Sequence, residues 1–246
     1  MAIKLRTDLL LQGKDIQLND NIIIINPTID EILEYGEEEY WKAVTQITST
    51  SYQYLLFFHR QGLNYQEISD YEMFVLLAQN MSKEQTQLIL KDIDLSELTA
   101  VMDNEDGSIV LIDKDENIII DEAIYYVMIE YIRTINNVTR EYRIPGNEHT
   151  YNIYIREAER EEQILERKGA QPFESLLEPL ISALCNHPSF KYDHMSVGQV
   201  SLYTLMDSLK RIQLYENYRN LISAIYAGTI DSKSIKKDEL NWFKSL

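Results

Sequence analysis

Between Leu98 and Asp121 the hydrophobic period of the chain changes from about 3.6 residues to about 2, and this change limits the folds open to it. The text "LTAVMDNEDGSIVLIDKDENIIID" holds three short apolar runs separated by "DNEDG" and "DKDE", both dense in turn-forming residues. Short runs broken by such turns predict a small antiparallel β-meander over residues 98–121. On either side of it the apolar spacing is helical. The expected class is therefore α+β and mainly α: a helical bundle-like core with an N-terminal β-hairpin and an acidic meander inserted mid-chain.

The hairpin is read from "DIQLNDNIIIINP", in which Asn19, Asp20 and Asn21 form a turn between two short strands and Pro27 stops the second. Thr28 and Glu31 then supply a T-x-x-E capping box that starts a helix. From Ile29 through Tyr40 and Val44 to Ile47 the apolar residues keep one helical stripe for about twenty residues. Gly36 lies on that stripe, which predicts a single helix whose glycine lets another element approach closely. Pro27, Thr28 and Gly36 are thus the structural residues of this stretch. Its glutamates invite a catalytic reading, because paired carboxylates can do acid–base work. Glu31, Glu34 and Glu38 fall opposite the stripe, however, with Lys42 an i+4 partner for Glu38, so a water-facing side is expected.

Further helices are predicted in "SYQYLLFFHRQ", ended by Gly62; in "SDYEMFVLLAQN", opened by Ser69 or Asp70; in "SKEQTQLILKDI", opened by Ser82 with Gln85; and over Glu122 to Asn136. "REYRIPGNEH" reads as a loop. Residues 151–168 are mostly charged, with Ile153, Ile155, Ile164 and Leu165 as their aliphatic contacts; a solvated connecting helix is expected, or one buried only against a partner. Gly169 and Pro172 mark a boundary. The expected organisation is an N-terminal α+β domain over 1–150, the charged helix over 151–168, and a C-terminal helical domain over 169–246. In the last, "FESLLEPLISALCN" precedes a long helix from about Ser196 to Ala227. There Leu202, Leu205, Leu209 and Ile212 make one stripe, while Leu214, Tyr218, Leu221 and Ile225 continue at a shifted phase, as a bend or rotation around a partner would require.

Forty acidic against 23 basic side chains give a net charge of −17. A surface built to neutralise phosphate is thereby disfavoured, so neither nucleic acid nor membrane is expected as a partner. No window approaches the roughly 18 apolar residues of a membrane span, and the run Leu9 to Leu11 is too short for a signal segment. The single cysteine, Cys185, rules out an internal disulfide framework, fits a reducing compartment, and sits at a helical apolar spacing expected of a buried side chain.

Candidate chemistry fails on spacing. Asp113, Asp115 and Asn117 match the first ligands of a calcium loop, but Ile118 stands where its glycine is needed and Ile124 where its bidentate glutamate is needed. Cys185, His187, Asp193 and His194 cluster without the spacing of a closed zinc site, and His59 and His149 lie in unrelated contexts. Nucleotide-binding and nucleophile motifs are missing from the sequence. The reading is a protein with no catalytic residue, no cofactor and no metal: not an enzyme.

Two stretches carry a resemblance. "INPTIDEILEYGEEEYWKAVTQITSTSYQYLLFF" (25–58) and "MDSLKRIQLYENYRNLISAIYAGTID" (206–231) resemble tail-module proteins of tailed bacteriophages, of the kind read as tail assembly chaperones or baseplate hub assembly proteins. These are packing motifs with no catalytic residue to carry over. The resemblance implies a protein of the host cytoplasm during assembly, or of the virion, that contacts tape-measure, tube or baseplate hub proteins and leaves oligomerisation open. A component retained in the virion is the alternative, and an acidic inhibitor or DNA mimic a distant one. An assembly chaperone needs aromatic and aliphatic surface together with solubilising charge. Tyr203, Tyr215, Tyr218 and Tyr226 are the candidate partner-binding residues.

Overall fold

The computed structural model describes residues 5–103, 107–169 and 171–244. A short helix α1 (Thr7–Leu10) leads into the hairpin of β1 (Ile16–Gln17) and β2 (Ile23–Ile24), paired Ile16 with Ile24 and Gln17 with Ile23. Its turn is held by the Asn19 carboxamide oxygen, which accepts from the N–H groups of Asn21 and Ile22 at 2.9 and 2.8 Å. Pro27 then ends the extended run and the capping box forms as the sequence requires. The Glu31 N–H donates to Thr28 Oγ1 at 3.3 Å, and the Thr28 N–H donates to Glu31 Oε2 at 2.7 Å.

The helix that follows is two helices. α2 (Ile29–Tyr35) and α3 (Glu37–Thr48) meet at Gly36, whose φ of 111° and ψ of 110° belong to neither. The expected close approach is absent: a Cβ on Gly36 would meet nothing within 4 Å. Glycine is needed there for the backbone conformation, which breaks the stripe and redirects α3. Gly36→Ala is therefore expected to cost about 1–3 kcal/mol, and Gly36→Leu about the same, since the added atoms enter open space. Urea unfolding of the two variants checks this; a leucine penalty several times that of alanine would restore the packing explanation. The close approach belongs instead to Gly198, where a Cβ would run into the Asp30 carboxylate.

A 3-10 turn (Ser51–Tyr54) continues into α4 (Leu55–Arg60), ended by Gly62 at φ 75°. α5 (Asp70–Ala78) opens on a capping box of Ser69 and Glu72, and α6 (Lys83–Thr86) on one of Ser82 and Gln85. The sequence predicts that α6 continues through Ile93, but it stops after one turn. Ile25 N–H donates to the Ile89 carbonyl and Lys91 N–H to that of Ile23, so the segment pairs beside β2 and buries Ile89 and Leu90. Pairing across the fold outweighs the local helical period.

The meander forms as β3 (Thr99–Met102), β4 (Ile109–Ile112) and β5 (Ile118–Ile120), antiparallel in the order β3-β4-β5 with an irregularity at Leu111/Ile112. Of the expected "DNEDG" turn, residues 104–106 lie outside the described residues. The second turn is closed by Asp113, whose Oδ1 accepts from the N–H groups of Asp115 and Asn117 at 2.9 Å each.

α7 (Glu122–Asn136) starts on an Asp121 cap and ends on a left-handed Asn137. It is the central helix. Its Tyr125, Met128, Ile129, Ile132 and Ile135 are buried among side chains from the hairpin, α2, α3, α5 and the meander. α8 (Glu148–Lys168), α9 (Leu177–Cys185) and α10 (Leu202–Tyr226) complete the chain. Leu177 and Leu184 of α9 and Leu202 and Leu205 of α10 enter the same core as α2, α3 and α7. A second, smaller cluster joins Tyr52, Phe58, Tyr65 and Met73 to Ile155 of α8.

Candidate interaction surface

The start of α10 is stitched to the start of α2. The Ile29 N–H donates to the Val200 carbonyl at 3.0 Å, and the Leu202 N–H to the Pro27 carbonyl at 2.8 Å. Thr28 and Ser201, the two N-caps, face each other in an antiparallel bridge. Two helix N-termini thus begin side by side, and Leu202 and Leu205 are fully enclosed. Beyond them the burial stops. None of the described residues from Met206 to Lys244 is buried.

This C-terminal arm has the side chains of a core without forming one. The tail after α10 doubles back beside the helix, where Arg211 Nη1 donates to the carbonyls of Trp242 and Lys244 at 3.3 and 2.6 Å and the Trp242 ring meets Tyr215 edge-on. Tyr226 remains 87% exposed and Phe243 72% exposed.

The four candidate tyrosines do not form one patch. Tyr203 is half-buried against the main core, where burial and the nearby Asp207 carboxylate push its phenol pKa up. Tyr215 packs edge-on within the arm against Trp242, Tyr218 is half-buried further along α10, and Tyr226 is exposed at the end of the helix. α10 runs unbroken from Leu202 to Tyr226, so the shifted phase of its apolar residues is not a break. At about 100° per residue, the stripe of Leu214, Tyr218, Leu221 and Ile225 points about 170° away from that of Leu202, Leu205, Leu209 and Ile212. One stripe faces the body and the other faces away from it.

A second apolar surface lies between α4 and α8. Phe57 and Leu165 are 56% and 67% exposed there, above Leu55 and Ala158, with Arg60 forking to Glu162 across the groove. The charged helix α8 is anchored by Ile155 and by Tyr151, which stacks on Tyr65 at 6.0 Å. Ile153, Ile164 and Leu165, expected as its other contacts, stay exposed.

One glutamate of the opening acidic stretch has a role that sequence reading passed over. Glu37 is buried and reaches the start of α9, where it accepts from the N–H groups of Leu176 and Leu177 at 2.8 and 2.9 Å, from the Ser175 hydroxyl at 2.5 Å and from Trp41 Nε1 at 3.1 Å. Burial raises its pKa, but the hydrogen bonds from Ser175, Leu177, Trp41 and Leu176 together hold it below the ordinary range. A signal was present: position 37 lies three before Tyr40 and seven before Val44, on the buried stripe. Glu31 caps α2, while Glu38 and Glu39 pair with Lys42 at the surface.

Asp193 and His187 serve turns. Asp193 Oδ1 accepts from the N–H groups of Met195 and Ser196, and His187 Nδ1 accepts from the Ser189 N–H at 3.2 Å. Burial and Asp193 push the Cys185 thiol up. Among the described residues no group of three or more His, Cys, Asp or Glu is placed to hold a metal ion, and no helix is long and apolar enough to cross a membrane.

Comparison with known proteins places the C-terminal part. Residues 168–246 match the family model of the YomV second domain, a phage-derived family of Bacillus prophage. No curated protein and no solved structure matches the chain. The matched residues contain α9, α10 and the tail, so the C-terminal arm lies within the matched segment and the α4–α8 groove outside it.

Proposed function

We propose that this is a non-enzymatic phage protein that acts by protein–protein contact in tail or baseplate assembly, in the manner of a chaperone. The observation that carries the reading is the amount of large apolar side chain that the fold leaves outside its own core, on the arm and in the α4–α8 groove. Such surface is costly to leave in water unless a partner covers it. The net charge of −17 keeps both the free protein and a complex with an aggregation-prone tail protein soluble. Tape-measure, tube or baseplate hub proteins are the proposed partners, met in the host cytoplasm.

Affinity capture from phage-producing cells tests this. The full chain is expected to retain a tail protein, and the double variant Phe57→Glu/Leu165→Glu to retain at least tenfold less. Capture of no tail protein would overturn the reading. A structural component retained in the virion is the second reading, favoured by the aromatic character of the arm, since permanent interfaces are the more apolar. Mass spectrometry of purified virions separates the two: stoichiometric presence identifies the retained component, and absence the assembly factor.

A further inference from the structure

We infer that the outward stripe of α10 pairs two copies of this chain through an antiparallel helix–helix contact. Leu214, Tyr218, Leu221 and Ile225 follow one another at spacings of four, three and four, the a/d spacing of a helix seam. This seam begins where the inward stripe ends and lies on the opposite side of the same unbroken helix. Pairing through it therefore leaves the attachment of α10 to the body undisturbed. All four residues are partly buried in the single chain, outside the core cluster, and the returning tail packs on the neighbouring flank at Arg211 and Tyr215.

Charge selects the occupant and the direction. Residues 206–246 carry seven basic and five acidic side chains, a balance of +2, so the other 205 residues carry −19 of the total −17. Two copies that met through their bodies would bring like charge together, whereas the arm is the part on which they can meet without that repulsion. A parallel pair would still set the two acidic bodies side by side. An antiparallel pair places them at opposite ends of an overlap about 18 Å long, beyond the Debye length of about 8 Å at physiological salt. In that register Tyr218 faces Leu221 of the second copy and Leu214 faces its Ile225.

The inference rests on the arm being a contact surface and not on which phage protein the chain meets. Sedimentation equilibrium of the purified full chain is expected to give a dimer that added salt does not weaken. Leu221→Glu is expected to raise its dissociation constant at least a hundredfold, with helix content by circular dichroism unchanged because Leu221 lies outside the core. In a Cys185→Ser background, mixing Tyr218→Cys chains with Leu221→Cys chains should give a mixed disulfide faster than either chain alone. A monomer at every soluble concentration, or a folded Leu221→Glu variant that dimerises as tightly as the parent, would overturn the pairing. Loss of the dimer with tail-protein capture intact sinks only this inference; loss of capture with the dimer intact sinks only the proposed function.

Discussion

Asp70→Ala is expected to lower the unfolding free energy by about 4 kcal/mol, because it strips the counter-charge from an arginine enclosed in the core. Asp70 and Arg133 are both about 95% enclosed, with Arg133 Nη2 at 3.8 Å from Asp70 Oδ2, and Arg140 adds a fork to the same carboxylate at 2.6 and 3.2 Å. The hydrogen bond to Asp70 raises the pKa of Arg140. Arg133 has little else: Nη2 donates to the Thr48 carbonyl at 3.1 Å, Nη1 approaches the half-exposed Glu130, and Nε has no partner. Removing the anion leaves a buried cation, which costs far more than the net value of the pair. Asp70→Ala/Arg133→Met should therefore be more stable than Asp70→Ala alone. Urea unfolding of the single and double variants gives the comparison, and additive losses would show that the two residues are not coupled.

Glu37→Ala is expected to cost about 3 kcal/mol, through the backbone N–H groups of Leu176 and Leu177 left without their acceptor at the start of α9. Glu37→Gln should cost less, since its carbonyl keeps one or two of these bonds. The pH dependence follows from the lowered pKa. A carboxylate whose folded value lies below its unfolded value of about 4.3 contributes fully above that value and is lost as pH falls through the folded one. The parent should therefore lose more stability than Glu37→Gln on going from neutral to acid pH. Equal slopes for the two proteins would remove Glu37 from the anchor. The family match begins at residue 168, so the bond from Glu37 ties the matched segment to the part of the chain that precedes it.

Much of the fold was legible because its chemistry is local. The caps at Thr28, Ser69 and Ser82, the Asn19 turn and the Asp113 turn of the meander each depend on residues within about four positions of one another, the range in which side-chain type dictates backbone shape. α7 was placed to the residue on its apolar period. The failures were of another kind. α6 lost its second half to pairing with β2, a contact more than sixty residues distant in sequence. Gly36 lay on a stripe that suited one long helix, and only its dihedral angles reveal the break.

The candidate surface divides the same way. The two phases of α10 were visible as spacing, yet summed over the helix they cancel, and nothing local says which one faces the body. That was decided by Pro27 and Thr28 meeting Ser201 and Leu202, which turns the first stripe inward and leaves the second outside the core. The sequence by itself determined where α2, α5, α6 and α7 begin, where the strands lie and that the chain is strongly acidic, since these depend on neighbouring residues and on composition. Only the tertiary structure decided that Asp70 is enclosed, which groups Glu37 reaches, and that the arm stays outside the core. Enclosure is a property of what packs against a residue, and for Glu37 and Asp70 the partners from other elements lie 63 to 140 positions away.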